Sequence, residues 1–408
     1  MRWSGMLVVI LCAAPVAAQD TRALEEELSR LRERVAILEE ETPAGPDPSE
    51  EAGGWRPALP QAILGGFADV NFDYWSGRLR EGDPPNPASR WKGRDHDDEF
   101  FLGNFDLFVA SQLSERFTFL TEILFEFEEH ETEIDAERLL LRYEHADWLR
   151  ASVGRGHTPI GYWNKHFHHG AWLWTTERRP LLYEFEDDNG PLPVHFVGLE
   201  VAGVRDTEFG LLGYSMVVSN GRPDDSKRVQ IVGDLNDGKM TALALSVIPR
   251  LFPGLEVGAN VLYDEIPARG SASPAWANPI HEVIAGGYAA YDGPALTLIL
   301  EGQYIHHGTQ ARNYDSFGGY AQTSYRFGVL TPYYRFDWLS INDQDPFYRE
   351  YSDDLPDGGV AMVVDTRQHT AGVRYDWSAF VALKLEYRRV DSDVERSNAV
   401  GIQAALAF

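Results

Sequence analysis

The sequence predicts an all-β fold: a transmembrane antiparallel β-barrel of about 16 strands, preceded by a short N-terminal coiled-coil α-helix. Three observations carry this. From residue 63 to the C-terminus, segments of about ten residues alternate apolar and polar side chains with period two, each bounded by turn residues. No run approaches the roughly 18 consecutive apolar residues of a membrane helix. The connections alternate short and long, as they do when turns on one side of a membrane face loops on the other.

The N-terminus organises the chain before the barrel begins. Arg2, the apolar stretch 6–16 and Val16-Ala17-Ala18 read as an export signal over residues 1–18, too short to span a bilayer. Cys12, the single cysteine, leaves with it, which excludes disulfides, thiol chemistry and cysteine metal sites from the exported chain. Within 19–42, Leu24, Leu28, Leu31, Val35 and Leu38 alternate spacings of four and three with Glu and Arg around them. That is an a/d seam, read as an oligomerising helix, the alternative being a solvated amphipathic one. So short a helix is marginal alone and needs partners. Residues 43–61, rich in Pro, Gly and acids, form a linker with no core of their own, and 62–408 form the barrel.

Strands are expected near 62–75, 99–113, 116–128, 134–145, 148–156, 193–202, 208–219, 240–248, 255–265, 281–291, 295–306, 314–326, 329–340, 366–377, 379–391 and 397–408. Phe117, Phe119, Thr121, Ile123, Phe125 and Phe127 share one face while Glu122 and Glu126 share the other. Val381, Leu383, Leu385 and Tyr387 likewise oppose Lys384 and Glu386. Charges facing lipid are costly, so the polar face turns inward around water. The expected lumen-lining charges are Asp69, Asp106, Glu122, Glu126, Arg138, Arg142, Arg150, Arg155, Glu301, Arg335, Arg374, Lys384 and Arg388. Arg138, Arg142, Arg150 and Arg155 make a basic stripe opposite the acids of the first three strands, or else these charges only form cross-strand ion pairs. The net charge of −27 disfavours nucleic acid.

The last segment, Val400, Ile402, Ala404, Leu406 and Phe408 on one face with the chain ending on Phe408, looks like the terminal strand that the barrel-assembly machinery recognises. With Gly65-Gly66-Phe67-Ala68-Asp69 at the barrel start and the coiled coil before it, the chain resembles sixteen-stranded trimeric Gram-negative porins, of the phosphate-selective-porin-like and DcaP-like branch. The resemblance implies an outer-membrane homotrimer, N-terminus periplasmic, in contact with lipid and lipopolysaccharide, passing small hydrophilic solutes by passive diffusion. No Arg/Lys ladder of the phosphate-selective kind is present, so that substrate is not carried over.

The longest connection, 157–193, follows the fifth strand, where the loop of such porins folds inward to narrow the channel. Trp163, Trp172 and Trp174 should hold it rigid. Its polar residues are Lys165, His166, His168 and His169, then Glu177, Arg178 and Arg179, then Glu184, Glu186, Asp187 and Asp188. Opposed clusters of this kind across an opening would order polar solutes. The histidines invite a metal reading, the more so if His306-His307 meets them, but their spacing fits no established cage, and no metal or cofactor is expected. Acidic groups such as Asp224-Asp225 and Asp353-Asp354 fall in external loops, either solvated or bridged by divalent cations to lipopolysaccharide phosphates. A competing role is a structural tether to a periplasmic layer. No Gly-x-Ser-x-Gly elbow is present, and no enzyme activity is expected.

Overall fold

The computed structural model describes residues 62–79, 99–127, 132–167, 170–184, 190–224, 233–269, 276–350, 360–361, 363–393 and 395–408. The signal 1–18, the heptad residues Leu24 to Leu38 and the linker 43–61 lie outside the described residues.

Sixteen strands form one closed antiparallel barrel in sequence order. They are β1 (Ala62–Leu79), β2 (Glu99–Gln112), β3 (Phe117–Phe127), β4 (Thr132–Ala146), β5 (Leu149–His157), β6 (His195–Thr207), β7 (Gly210–Ser219) and β8 (Met240–Pro249). There follow β9 (Leu255–Ile266), β10 (Ile280–Asp292), β11 (Leu296–Gly308), β12 (Asn313–Tyr325), β13 (Leu330–Ser340), β14 (Thr366–Ser378), β15 (Val381–Ser392) and β16 (Glu395–Ala407). Each expected strand is present, with ends shifted by four residues or fewer except at the C-terminal end of β6, where a turn at 208–209 lets the strand run on to Thr207. A two-stranded ribbon pairs Arg349 with Ala361 in the loop after β13.

The barrel closes where β1 meets β16, from Phe67 opposite Ala407 to Leu79 opposite Glu395. Gly66 and Phe408 exchange both backbone hydrogen bonds, 2.9 and 3.0 Å. A side chain at Gly66 would run into the Asp106 carbonyl and the Phe408 ring, so the closing pair requires glycine there. Turns of two to five residues join strands at the end that carries both described termini, and the long connections, including 158–194, lie at the other.

The amphipathic sense is inverted relative to a water-soluble protein. On β15, Leu385 is 49% exposed while its neighbour Glu386 and the nearby Arg388 are 1% exposed. Leucines stand outward and charges inward, which is stable only if the exterior solvent is hydrocarbon. Exposed Phe117, Trp148, Phe209, Phe252, Phe327, Trp377 and Phe380 ring the short-turn end, and Tyr74, Phe100, Tyr263, Tyr334 and Tyr387 the other. These are the aromatic girdles of a transmembrane barrel.

The interior departs from the expectation of a water-filled lumen on one side. Val217, Leu262, Ile266, Ile280, Ile284, Ile299, Ile305 and Leu339 are buried inside the barrel beneath loop residues such as Ile160, Trp163, Leu181, Leu182 and Phe347. This arc holds an apolar core, because loops fold in and cover it.

The loop after β13 contributes Pro346–Tyr348, a 3₁₀ turn capped by the Asp345 side chain, 3.0 Å from the Phe347 amide. The other Asp345 oxygen lies 2.8 Å from His307 Nδ1, and Glu282 lies 3.0 Å from His307 Nε2. Arg222 spans Glu282 (3.3 Å) and the carbonyls of Gly190 and Pro191. Three loops are thus bound together over β9–β11.

Candidate functional site

The connection 158–194 turns into the barrel and is fixed at its neck. Thr158 N donates to Val194 O at 2.8 Å, and Asn164 Nδ2 donates to Thr158 O and Val194 O at 2.9 and 3.0 Å. From there the chain crosses to the far wall. Helix α1 (Trp163–His166) begins over Glu301 of β11, whose carboxylate accepts the amides of Tyr162 (3.0 Å) and Trp163 (3.2 Å). It also accepts the hydroxyls of Tyr320, at 3.0 Å, and of Tyr183.

Gly161 makes this approach possible. Its φ is +69°, and a Cβ would overlap the Glu301 carboxylate and the Tyr183 hydroxyl. Gly161→Val should therefore cost at least about 2 kcal/mol, from the strained φ and the displaced carboxylate together. An unchanged unfolding midpoint in denaturant titrations would contradict that packing.

Beyond α1, inward cations of β13–β15 capture the loop backbone. Arg374 donates to the carbonyls of Trp172 (2.6 Å) and Trp174 (2.8 Å). Lys384 reaches those of Ala171 (2.5 Å) and Thr176 (2.8 Å), and Arg335 those of Arg178 (2.9 Å) and Arg179 (2.7 Å). Acids hold the amides: Glu386 accepts Glu177 N at 2.8 Å, and Asp337 accepts Leu181 N, at the start of α2 (Leu181–Glu184), at 3.1 Å. Trp172 stacks on Phe67 of β1, 6.5 Å between centroids.

Glu177 sits at the centre, ion-paired with Arg388, while Arg178 and Arg388 both reach Asp73 of β1, at 2.7 and 3.1 Å. Burial outweighs the two guanidiniums and pushes the Glu177 carboxyl up from 4.5 to about 7. Its raised value stabilises the docked loop fully below the unfolded value, and that contribution is lost as pH rises through about 7. Amide exchange over 170–184, corrected for intrinsic chemistry, should be faster at pH 8 than at pH 5, and Glu177→Gln should remove the difference. Equal protection at both pH values in the unaltered protein would refute this.

The loop covers the long-loop half of the β4–β8 wall, where Phe196, Val217 and Met240 are buried, and leaves the short-turn half uncovered. A cavity of about 200 Å³ lies there, lined by Arg142, Arg150, Ser152, Lys165, Glu200, Tyr214, Ser215 and Ser246. Glu200 is engaged by Ser215, at 2.9 Å, and Arg142 contacts Ser152 at 3.3 Å. Arg150 and Lys165 have no carboxylate partner among the described residues. His166 stacks on Tyr162 with Nε2 3.7 Å from Glu256, and burial lowers its pKa, so it is neutral at pH 7. The cationic charge at this opening therefore resides on Arg142, Arg150 and Lys165.

The structure places the sequence-derived residues in different surroundings. Arg142, Arg150 and Lys165 meet at the opening. Glu301, Arg335, Arg374, Lys384 and Arg388 face inward but are covered by the loop they hold, as are Glu177 and Arg178 on the loop itself, while Arg179 lies over the Trp174 ring at 5.5 Å. On the first strands Asp69, Asp106 and Glu122 are buried in the wall, Glu122 paired with Arg138, so they do not oppose the bases across open water. Glu126 lies beside Glu133 and Asp135. Arg155 is buried and lines a water-sized cavity with His195, Phe196 and Arg222. His306 faces outward to Asp315 and His307 inward, so adjacent strand positions send them to opposite sides of the wall. His168, His169, Glu186, Asp187, Asp188 and the Glu184 side chain lie outside the described residues. Sequence reading missed Ser152, Ser215 and Ser246, whose only signal was an inward position on a strand; Tyr214 alternates with Ser215 and turns outward, its hydroxyl donating to the Trp148 carbonyl at 2.8 Å.

No protein-family model matches the sequence, and no curated protein matches it. Solved structures do match in shape. The outer membrane channel DcaP of Acinetobacter baumannii aligns at a TM-score of 0.54 with 11% identity, covering 88% of this chain and 100% of that one. The fold is that of the outer-membrane porins. An anion-selective porin from Comamonas acidovorans aligns at 0.53 with 11% identity, covering 86% of this chain and 100% of that one. A loop-deletion mutant of OmpT, an outer membrane protein of Vibrio cholerae, aligns at 0.52 with 11% identity and the same two coverages. The porin fold here carries its inward loop between β5 and β6.

Proposed function

We propose that this protein is an outer-membrane porin, a channel and not an enzyme, that admits small hydrophilic solutes by passive diffusion through the opening between its inward loop and the β4–β8 wall. The observation that carries the reading is the loop: it is clamped to one arc of the barrel by inward cations that donate to its carbonyls, and it leaves a polar gap on the other. Arg142, Arg150 and Lys165 at that gap favour anions, although the chain as a whole is acidic. The similarity to a porin named as anion-selective agrees with this preference. On the same reading the protein lies in the Gram-negative outer membrane among lipid and lipopolysaccharide, N-terminus periplasmic. Phe408 serves recognition by the assembly machinery, and the heptads of 19–42 favour a homotrimer.

The test is single-channel recording of the refolded protein in planar bilayers under a salt gradient. Stepwise conductance, in groups of three and with an anion-signed reversal potential, is expected. Silence at every salt concentration, from protein shown to be folded, would sink the diffusion reading.

A further inference from the structure

On β14, β15 and β16 the outward side chains change character in the same order along each strand. From the short-turn end β14 presents Trp377, Tyr375, Val373, Ala371, His369 and Arg367, while the alternate residues Thr366, Gln368 and Thr370 are buried inside. β15 presents Leu383, Leu385, Tyr387 and then Arg389, and β16 presents Ile402, Val400, Asn398 and then Arg396. Cross-strand register aligns them: Arg367 faces Asp391, which faces Arg396, and in the next row His369 faces Arg389, which faces Asn398.

The two rows carry three arginines against one acid, Asp391, which lies 3.0 Å from Arg396. Directly below them lie Tyr334, hydrogen-bonded to His369 at 2.6 Å, Phe336, and Tyr387, bonded to Asn398 at 2.7 Å. From Trp377 to His369 is about 27 Å along the strand, or about 21 Å along the membrane normal at a tilt of about 40°. That is close to the height of the hydrocarbon band, so the arginines stand at the headgroup level of the long-loop side. An arginine facing lipid is tolerated there and costly further in.

We propose that Arg367, Arg389 and Arg396 form a docking surface for a phosphorylated outer-leaflet glycolipid, the phosphates meeting the guanidiniums and the acyl chains lying along Leu385, Leu383, Val400 and Ile402. Charge complementarity chooses this occupant. The exposed guanidiniums of Arg367 and Arg389 have no partner among the described residues, on a chain whose net charge is −27. Guanidinium matches phosphate geometry with paired hydrogen bonds, and the aromatic row beneath fixes the depth.

The experiment uses the full chain in phosphatidylcholine vesicles containing either bisphosphorylated lipid A or lipid A stripped of phosphate. After gentle detergent extraction, mass spectrometry counts the lipid A retained per protein. The unaltered protein should retain the phosphorylated form at least about tenfold over the stripped form, and high salt should reduce that preference. Arg367→Gln/Arg389→Gln/Arg396→Gln should abolish it, at about fivefold per arginine, with conductance unchanged. Equal retention of the two lipids by the unaltered protein would overturn the proposal, and that comparison decides even if the triple variant fails to fold. So would a triple variant that retains lipid A normally, or one that changes subunit stoichiometry alone, which would assign the face to a neighbouring copy.

Discussion

Replacing Arg142, Arg150 and Lys165 together by glutamate should reverse the ion preference of the channel, turning an anion-signed reversal potential into a cation-signed one. These three cations stand at the uncovered wall, and the carboxylate among them, Glu200, is engaged by Ser215. The exchange swings the local charge by about six elementary charges in a narrow, low-dielectric passage, where a field acts on every passing ion. Single neutralisations at the same positions should give graded shifts of the same sign. Neutralising Arg179 should have little effect on selectivity, because its charge lies over Trp174. A reversal potential unmoved by the triple exchange would place the conducting path elsewhere in the barrel.

The second large effect is expected at Arg388. Its guanidinium serves Glu177, Asp73 and Glu386 at once, and it is 1% exposed. Arg388→Met keeps the volume but strands buried carboxylates, a loss of about 3–5 kcal/mol from the docked state. The sheet does not depend on this side chain, since β15 pairs with both neighbours through its backbone. The barrel should therefore persist while the loop detaches, with conductance rising by about twofold or more and becoming noisy. Normal conductance with a lowered unfolding midpoint would mean that Arg388 supports the wall and not the loop.

The strands were legible because period-two alternation is a local property, and lipid and interior impose it residue by residue on β3 and β15. The place of the inward loop was legible from strand count. What covers an inward charge was not. Lys384 and Arg142 have the same pattern in sequence, each an inward cation on an alternating strand. One is buried against carbonyls of residues 171 and 176, the other faces an open cavity. The distinction depends on contacts separated by some 200 positions, which no spacing records. The apolar core under the loop escaped for a related reason. Inward Leu262, Ile284 and Ile305 belong to strands without a clean polar face, and that signal means burial only once something is known to lie on top.

The ion cluster at Glu177 also bears on the order in which the molecule is built. Asp73 is on the first strand, Arg388 on the penultimate one, and the β1–β16 seam runs between them. The cluster cannot exist until the last strand has paired with the first. During assembly, then, the anchors on β11 and β13–β15 can hold the loop on the open sheet, and its ion pair to Asp73 sets only when the seam zips shut. Once set, the Asp73–Arg388 and Asp73–Arg178 contacts cross that seam from inside. Parting β1 from β16 sideways must break buried charge pairs as well as backbone bonds, so the most recently formed joint becomes one of the slowest to reopen.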